Sequence, residues 1–148
     1  MLTERQRCVS EQLAERTGID AVMISRLVRS FYGKVRQDEL LGPVFDARIR
    51  EWGSHLARMD AFWSSVALMT GIYHGGPMEK HQSLPIDARH FDRWLKLFRE
   101  TAHEVCPPAA AAHFIDRAER IAHSLELGVA SSHGILLRRG QRLHRSRE

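Results

Sequence analysis

Apolar residues recur along this chain at intervals of three and four, and no stretch alternates apolar with polar for long enough to argue a strand. The pattern predicts an all-α fold. A polar first helix is expected over residues 4–16, stopped by Gly18, and Asp20 then offers an N-cap for a helix to about Arg36. Ile24, Leu27, Val28, Phe31 and Val35 form the inward stripe of that second helix, with Tyr32 at its margin. Gly42-Pro43 breaks the chain into a short helical turn and a corner that carries Phe45. A long helix follows from about Arg50 to Thr70, its stripe made of His55, Met59, Phe62, Val66 and Met69 and flanked by Leu56 and Trp63. Asp87 caps a helix to about Val105 with Phe91, Trp94, Leu95, Phe98 and Ala102 inside, and Pro108 opens a last one over about 109–130 with Phe114, Ala118, Ile121 and Leu125 inward.

Two histidines stand out against this pattern. His55 heads an otherwise apolar face. His81 lies in "GGPMEKHQSLPID", on a very short helix cut off by Gly75-Gly76-Pro77 before it and Pro85 after it. The other seven histidines fall in loops, at polar helical positions or near the end of the chain, and are expected in solvent. Either candidate alone would read as a buried imidazole satisfied by a carbonyl. Together, and surrounded by Phe31, Phe45, Met59, Phe62, Trp63, Phe91, Trp94 and Phe98, they suit a flat apolar cofactor held between helices. Haem needs this set: a neutral imidazole for the iron and apolar faces for the ring, with the imidazole's second nitrogen tied to a carbonyl to fix its tautomer.

Composition narrows the alternatives. The 148 residues are 43% hydrophobic with a formal charge of +4, enough chain for one domain with its own core. Cys8 and Cys106 form no C-x-x-C and are expected as reduced thiols. The charged N-terminus lacks the apolar core of a secretory signal, and no run approaches the ~18–20 apolar residues of a membrane span, so a cytoplasmic protein is expected. Much of the basicity sits in "LLRRGQRLHRSRE", expected to be a frayed, solvated tail. Domain organisation is expected as an N-terminal extension over 1–19, a main domain over 20–130 and a flexible basic tail over 131–148. A di-iron bundle would need two Glu-x-x-His motifs, and only Glu100-x-x-His103 is present. No nucleotide-binding glycine motif or nucleophile elbow occurs. The remaining rival is a haem-free helical interaction or nucleic-acid-binding module that uses the basic tail.

The segments "FYGKVRQDELLGPVF", "EWGSHLARMDAFW", "YHGGPMEKHQSLPI" and "FDRWLKLF" resemble, in order and spacing, the group III truncated haemoglobins of bacteria over roughly residues 20–130. The resemblance implies a two-over-two helical sandwich around haem b, with His81 as the proximal iron ligand. It places Tyr32, Trp94 and His55 in the distal pocket and Phe45 against the haem face. Met59, Phe62, Trp63, Ile86, Phe91 and Trp94 are the further cofactor-lining candidates. His55 has three readings: a gate over the ligand entrance, a sixth iron ligand, or a solvent-facing side chain at the haem edge. The expected ligands are O2, NO, CO or cyanide. The expected activity is O2, NO or peroxide chemistry, of NO dioxygenase or peroxidase type, supported by an unidentified reductase, rather than bulk O2 transport. A monomer or weak homodimer is expected, with neither membrane nor nucleic acid as partner.

Overall fold

In a computed structural model, residues 3–71, 81 and 84–144 are described, and they form six helices with no strand among them. These are α1 (Glu4–Thr17), α2 (Ala21–Gln37), α3 (Gly42–Arg48), α4 (Trp52–Leu68), α5 (Ala88–Val105) and α6 (Pro108–Ser132).

The helix ends follow local chemistry. Thr3 and Gln6 form a reciprocal capping box at the start of α1, and Gly18, at φ 74°, ends it in the left-handed conformation that a residue without Cβ adopts at least cost. Asp20 accepts the Met23 N–H at 2.8 Å and so caps α2. Asp87 caps α5 by accepting from Arg89 N at 3.0 Å, and Pro108 opens α6.

α2 packs against α3, α4 and α5, while α5 packs against α6 and α4 against α6. Two helical pairs, α2/α4 and α5/α6, are thus laid one over the other, and α1 covers α4 and α6. α2 is the most central because its stripe is complete: Leu27, Val28, Phe31 and Val35 are each at most 1% exposed. Trp63 and Phe98 stack at 4.9 Å in the middle of this core, and Phe114 meets Trp63 edge-on. A second, smaller core gathers Ile86, Phe91, Ala122, Val129, Ala130 and Leu143, and Trp94 and Leu95 pack against both cores.

The corner after α2 depends on one glycine. A Cβ on Gly42 would lie 2.9 Å from the Arg36 carbonyl oxygen and 3.4 Å from that of Val35, and backbone atoms cannot swing aside as a flexible side chain would. Gly42 also donates its N–H to Asp38 O at 2.9 Å, which closes the turn that delivers α3 and Phe45. Gly42→Ala should therefore lower stability by about 1–3 kcal/mol, the usual range for overpacking. Urea unfolding of both proteins checks this.

The structure differs from the sequence pattern at several places. α4 ends at Leu68, and Met69 takes a left-handed conformation (φ 55°) with its side chain 57% exposed rather than continuing the inward stripe. His113 is half-buried, and its Nε2 donates to the Ala67 carbonyl oxygen at 2.8 Å and ties α6 to the end of α4. The basic tail is docked at Arg142 and Leu143, the latter only 1% exposed. The short helix expected around His81 lies outside the described residues, apart from His81 and Leu84.

Candidate functional site

Between the two cores lies a cavity of about 490 Å³, and every helix except α1 contributes to its wall. The ten site candidates drawn from the resemblance all line it, while Phe31 and Phe98, also expected around the cofactor, pack in the main core. α2 supplies Tyr32 and α3 supplies Phe45. One face of α4 gives His55, Met59, Phe62 and Trp63, the segment before α5 gives His81 and Ile86, and α5 gives Phe91 and Trp94. The half-buried state of Met59 and Phe62 has its reason here: they face the cavity, while Trp63 reaches past it into the core.

Tyr32 is 5% exposed and is held by rings on several sides. His55 meets it edge-on at 5.1 Å, Phe31 at 5.1 Å and Phe45 at 5.9 Å. Burial pushes its phenol well above the ordinary tyrosine range, because the phenolate would lose its hydration. Tyr32 is therefore a neutral O–H group, able to donate. Trp94 stacks on Phe98 at 5.4 Å and 13° and meets Phe31 edge-on at 5.3 Å, so its indole plane is fixed by packing. Indole can donate but not accept. His55 also packs edge-on against Trp52 at 5.6 Å, and Arg36 lies over the Trp52 ring at 4.4 Å.

His90 was expected in solvent and is instead 8% exposed and part of the cavity wall. Its Nδ1 accepts the backbone N–H of Asp87 at 3.1 Å, with an Asp87 carboxylate oxygen at 3.3 Å. A backbone N–H can only donate, so Nδ1 is the acceptor in the contact with the Asp87 N–H. The signal was present in the sequence as Asp87-x-x-His90, a capping box with histidine in the position usually held by Glu or Gln.

The electrostatic character of the wall is one-sided. Among the described residues, no Asp or Glu lines the cavity, whereas Arg48 and Arg58 stand at it with exposed side chains. Arg50 and Arg89 do not line it, Arg89 being turned to Asp87 at 3.2 Å, and Lys80 lies outside the described residues. Apolar and aromatic walls, imidazoles reaching in, and arginines at the edge suit a flat apolar ring that carries carboxylates, and haem b is such a group. Among the described residues, no three His, Cys, Asp or Glu side chains are grouped to hold a bare metal ion. Nor is any helix among them long and apolar enough to cross a membrane.

Comparison with known proteins gives the same answer independently. Residues 12–126 match the family model for bacterial-like globins. The chain is 38% identical over 109 residues to the group 3 truncated hemoglobin ctb of Campylobacter jejuni, covering 70% of this chain and 86% of that protein. It superposes on the crystal structure of a group III truncated hemoglobin from Campylobacter jejuni with a TM-score of 0.68 at 34% identity, over 83% of this chain and 95% of that one. The chain belongs to the bacterial-like globins, within them to the group III truncated haemoglobins, a family that binds haem b and diatomic ligands.

Proposed function

We propose that this globin holds haem b through His81 and handles O2, NO or peroxide beneath Tyr32 and Trp94, as a reactive protein rather than an O2 carrier. The observation that carries this reading is the placing of two committed donors, the neutral phenol of Tyr32 and the indole of Trp94, in the same apolar cavity as His81. Bound haem supplies the iron at which a diatomic ligand is held and polarised.

The chain's own residues do the rest. His81 offers a neutral imidazole from a segment outside the long helices. Tyr32 and Trp94 donate toward the side where negative charge gathers on the ligand, and each hydrogen bond to a charged acceptor contributes about 1.5–3 kcal/mol. With about 1.4 kcal/mol per decade of affinity, release would be slowed by one to several decades. A carrier needs fast release, so slow release favours turnover of the ligand, with an unidentified reductase restoring the ferrous state. Phe45, Met59, Phe62, Ile86 and Phe91 exclude water, which also keeps the two donors from spending their hydrogen bonds on solvent. Arg48 and Arg58 are placed to meet the carboxylates at the rim. His55, edge-on to Tyr32, lies on the phenol's side of the cavity and acts there as a gate or as a sixth ligand.

The test is uptake of haemin by the apoprotein, followed by absorption spectra of the ferric, dithionite-reduced and CO-treated forms. A stoichiometric complex with an intense Soret band that shifts with CO is the expected result. A chain that stays colourless with excess haemin would overturn the reading in favour of a haem-free interaction module.

A further inference from the structure

After α6 the chain reverses. Ile135 and His133 both donate to the Ala130 carbonyl oxygen, and a second turn at Gly140 (φ 82°) brings Arg142 and Leu143 back over the start of α5. The contacts made there are specific. The Leu143 carbonyl oxygen accepts the N–H of Ala88 at 2.7 Å, and the Leu143 N–H donates to Glu126 Oε2 at 2.9 Å. Arg142 donates to Glu126 and to Asp92, each at 2.8 Å, and reaches the Ala88 carbonyl oxygen at 3.5 Å.

Two oddities of the fold are explained together by this arrangement. Ala88 is the first residue of α5, whose N–H has no partner within the helix, and Leu143 supplies the missing acceptor. Glu126 is a carboxylate only 5% exposed in the small core, a costly placement unless paired, and Arg142 with the Leu143 N–H satisfies it. The Leu143 side chain fills that same core beside Ile86 and Phe91, which face the cavity. Leu137–His144 lie beyond residue 126, where the match to the globin family ends.

We infer that Leu137–His144 form a positioning strap for one wall of the cofactor cavity, with Arg142 and Leu143, anchored on Glu126, holding the first turn of α5 and through it Ile86, His90 and Phe91. This rests on the haem reading above. Within its own segment the chain entering α5 is tied by the Leu84 N–H to His81 O at 3.1 Å and the Ile86 N–H to Leu84 O at 2.9 Å, and the strap adds a tie from a distant part of the chain. Besides the strap, the start of α5 is held by the Asp87 cap and the Asp87–His90 box, and the latter orients the imidazole that faces the cavity. Releasing the strap lets that turn open, and an open wall lets the cofactor leave.

The experiment compares wild type with Arg142→Met, Leu143→Ala and Arg142→Lys, using Val28→Ala as a control that weakens the main core rather than the small core that holds Leu143. Two quantities are read well below the melting temperature: hydrogen exchange of the Ala88 amide in the apoprotein, and the rate of haem transfer to excess apomyoglobin. Arg142→Met, which removes charge-assisted contacts, and Leu143→Ala, which keeps the backbone bonds but empties part of the small core, should each speed both by at least about tenfold, with Arg142→Lys between them and wild type and Val28→Ala near wild type. Unchanged exchange at Ala88 would overturn the strap. Faster exchange with unchanged haem transfer would overturn its positioning role and leave only packing. Should Leu143→Ala fail to fold, the Arg142 variants decide alone. Should wild type take up no haem, the cofactor reading fails by itself, and exchange at Ala88 still shows whether the strap holds α5.

Discussion

Replacing Tyr32 by phenylalanine should raise the O2 dissociation rate about 10- to 100-fold, the loss of one hydrogen bond to a charged acceptor. The ring would stay where it is, because Phe31, Phe45 and His55 hold it on its edges and the hydroxyl adds nothing to that packing. The change thus reports the O–H and little else. Trp94→Phe removes the other donor but also part of the stack on Phe98, so its effect on the rate should be similar and its effect on stability larger. If the two donors share one ligand, the double variant will fall short of the product of the single effects. Stopped-flow O2 displacement by CO checks this, and three rates equal to wild type would remove the two residues from the ligand's surroundings. pH supplies a second signature. The folded protein holds the Tyr32 phenol neutral, while in the unfolded chain it ionises near its ordinary value of about 10. Above that pH the unfolded state binds fewer protons than the folded one, so stability should fall with rising pH, and Tyr32→Phe should flatten this slope.

Residues whose roles are set by local chemistry were legible in the sequence. Gly18, Asp20, Asp87 and Pro108 mark helix ends because their backbone or capping preferences act within a turn. The cavity residues were legible for another reason: a histidine at the head of an apolar stripe, or a tyrosine at the margin of one, breaks a pattern that the core would otherwise complete. Met69 was misplaced because periodicity shows which face a residue would occupy and not where the helix stops, and no Gly or Pro stands at that point to mark the stop. His90 and the tail were misread through charge. A polar residue at a helix start looks solvated until its partner is recognised, and the Asp87–His90 box buries it. Arginines in a run likewise look like a solvated end, yet one of them meets Glu126 from a helix sixteen residues earlier in the chain. That pairing is a tertiary fact with no local trace.

His81→Gly should remove the iron's protein ligand and leave a hole of imidazole size in the wall. Loss of an outer partner of a metal ligand typically costs about 10–100-fold in affinity, so loss of the ligand itself should weaken haem retention by at least about a hundredfold. The Soret band of whatever haem remains should shift. Added imidazole should restore both band and retention, since it can occupy the hole and donate the same nitrogen, and rescue of this kind separates a missing ligand from a damaged fold. Among the described residues three imidazoles line the cavity, and the variant also decides among them. His90 is tied at Nδ1 to the Asp87 cap of α5, by the backbone N–H at 3.1 Å and the carboxylate at 3.3 Å. His55 stands edge-on to Tyr32, on the side assigned to the gas ligand. An unchanged spectrum in His81→Gly would therefore pass the role to His55 or His90, and with His55 as the iron's partner the two sides of the pocket invert, placing Tyr32 beside the protein ligand. His55→Gly under the same conditions would then show the loss, and imidazole would rescue it.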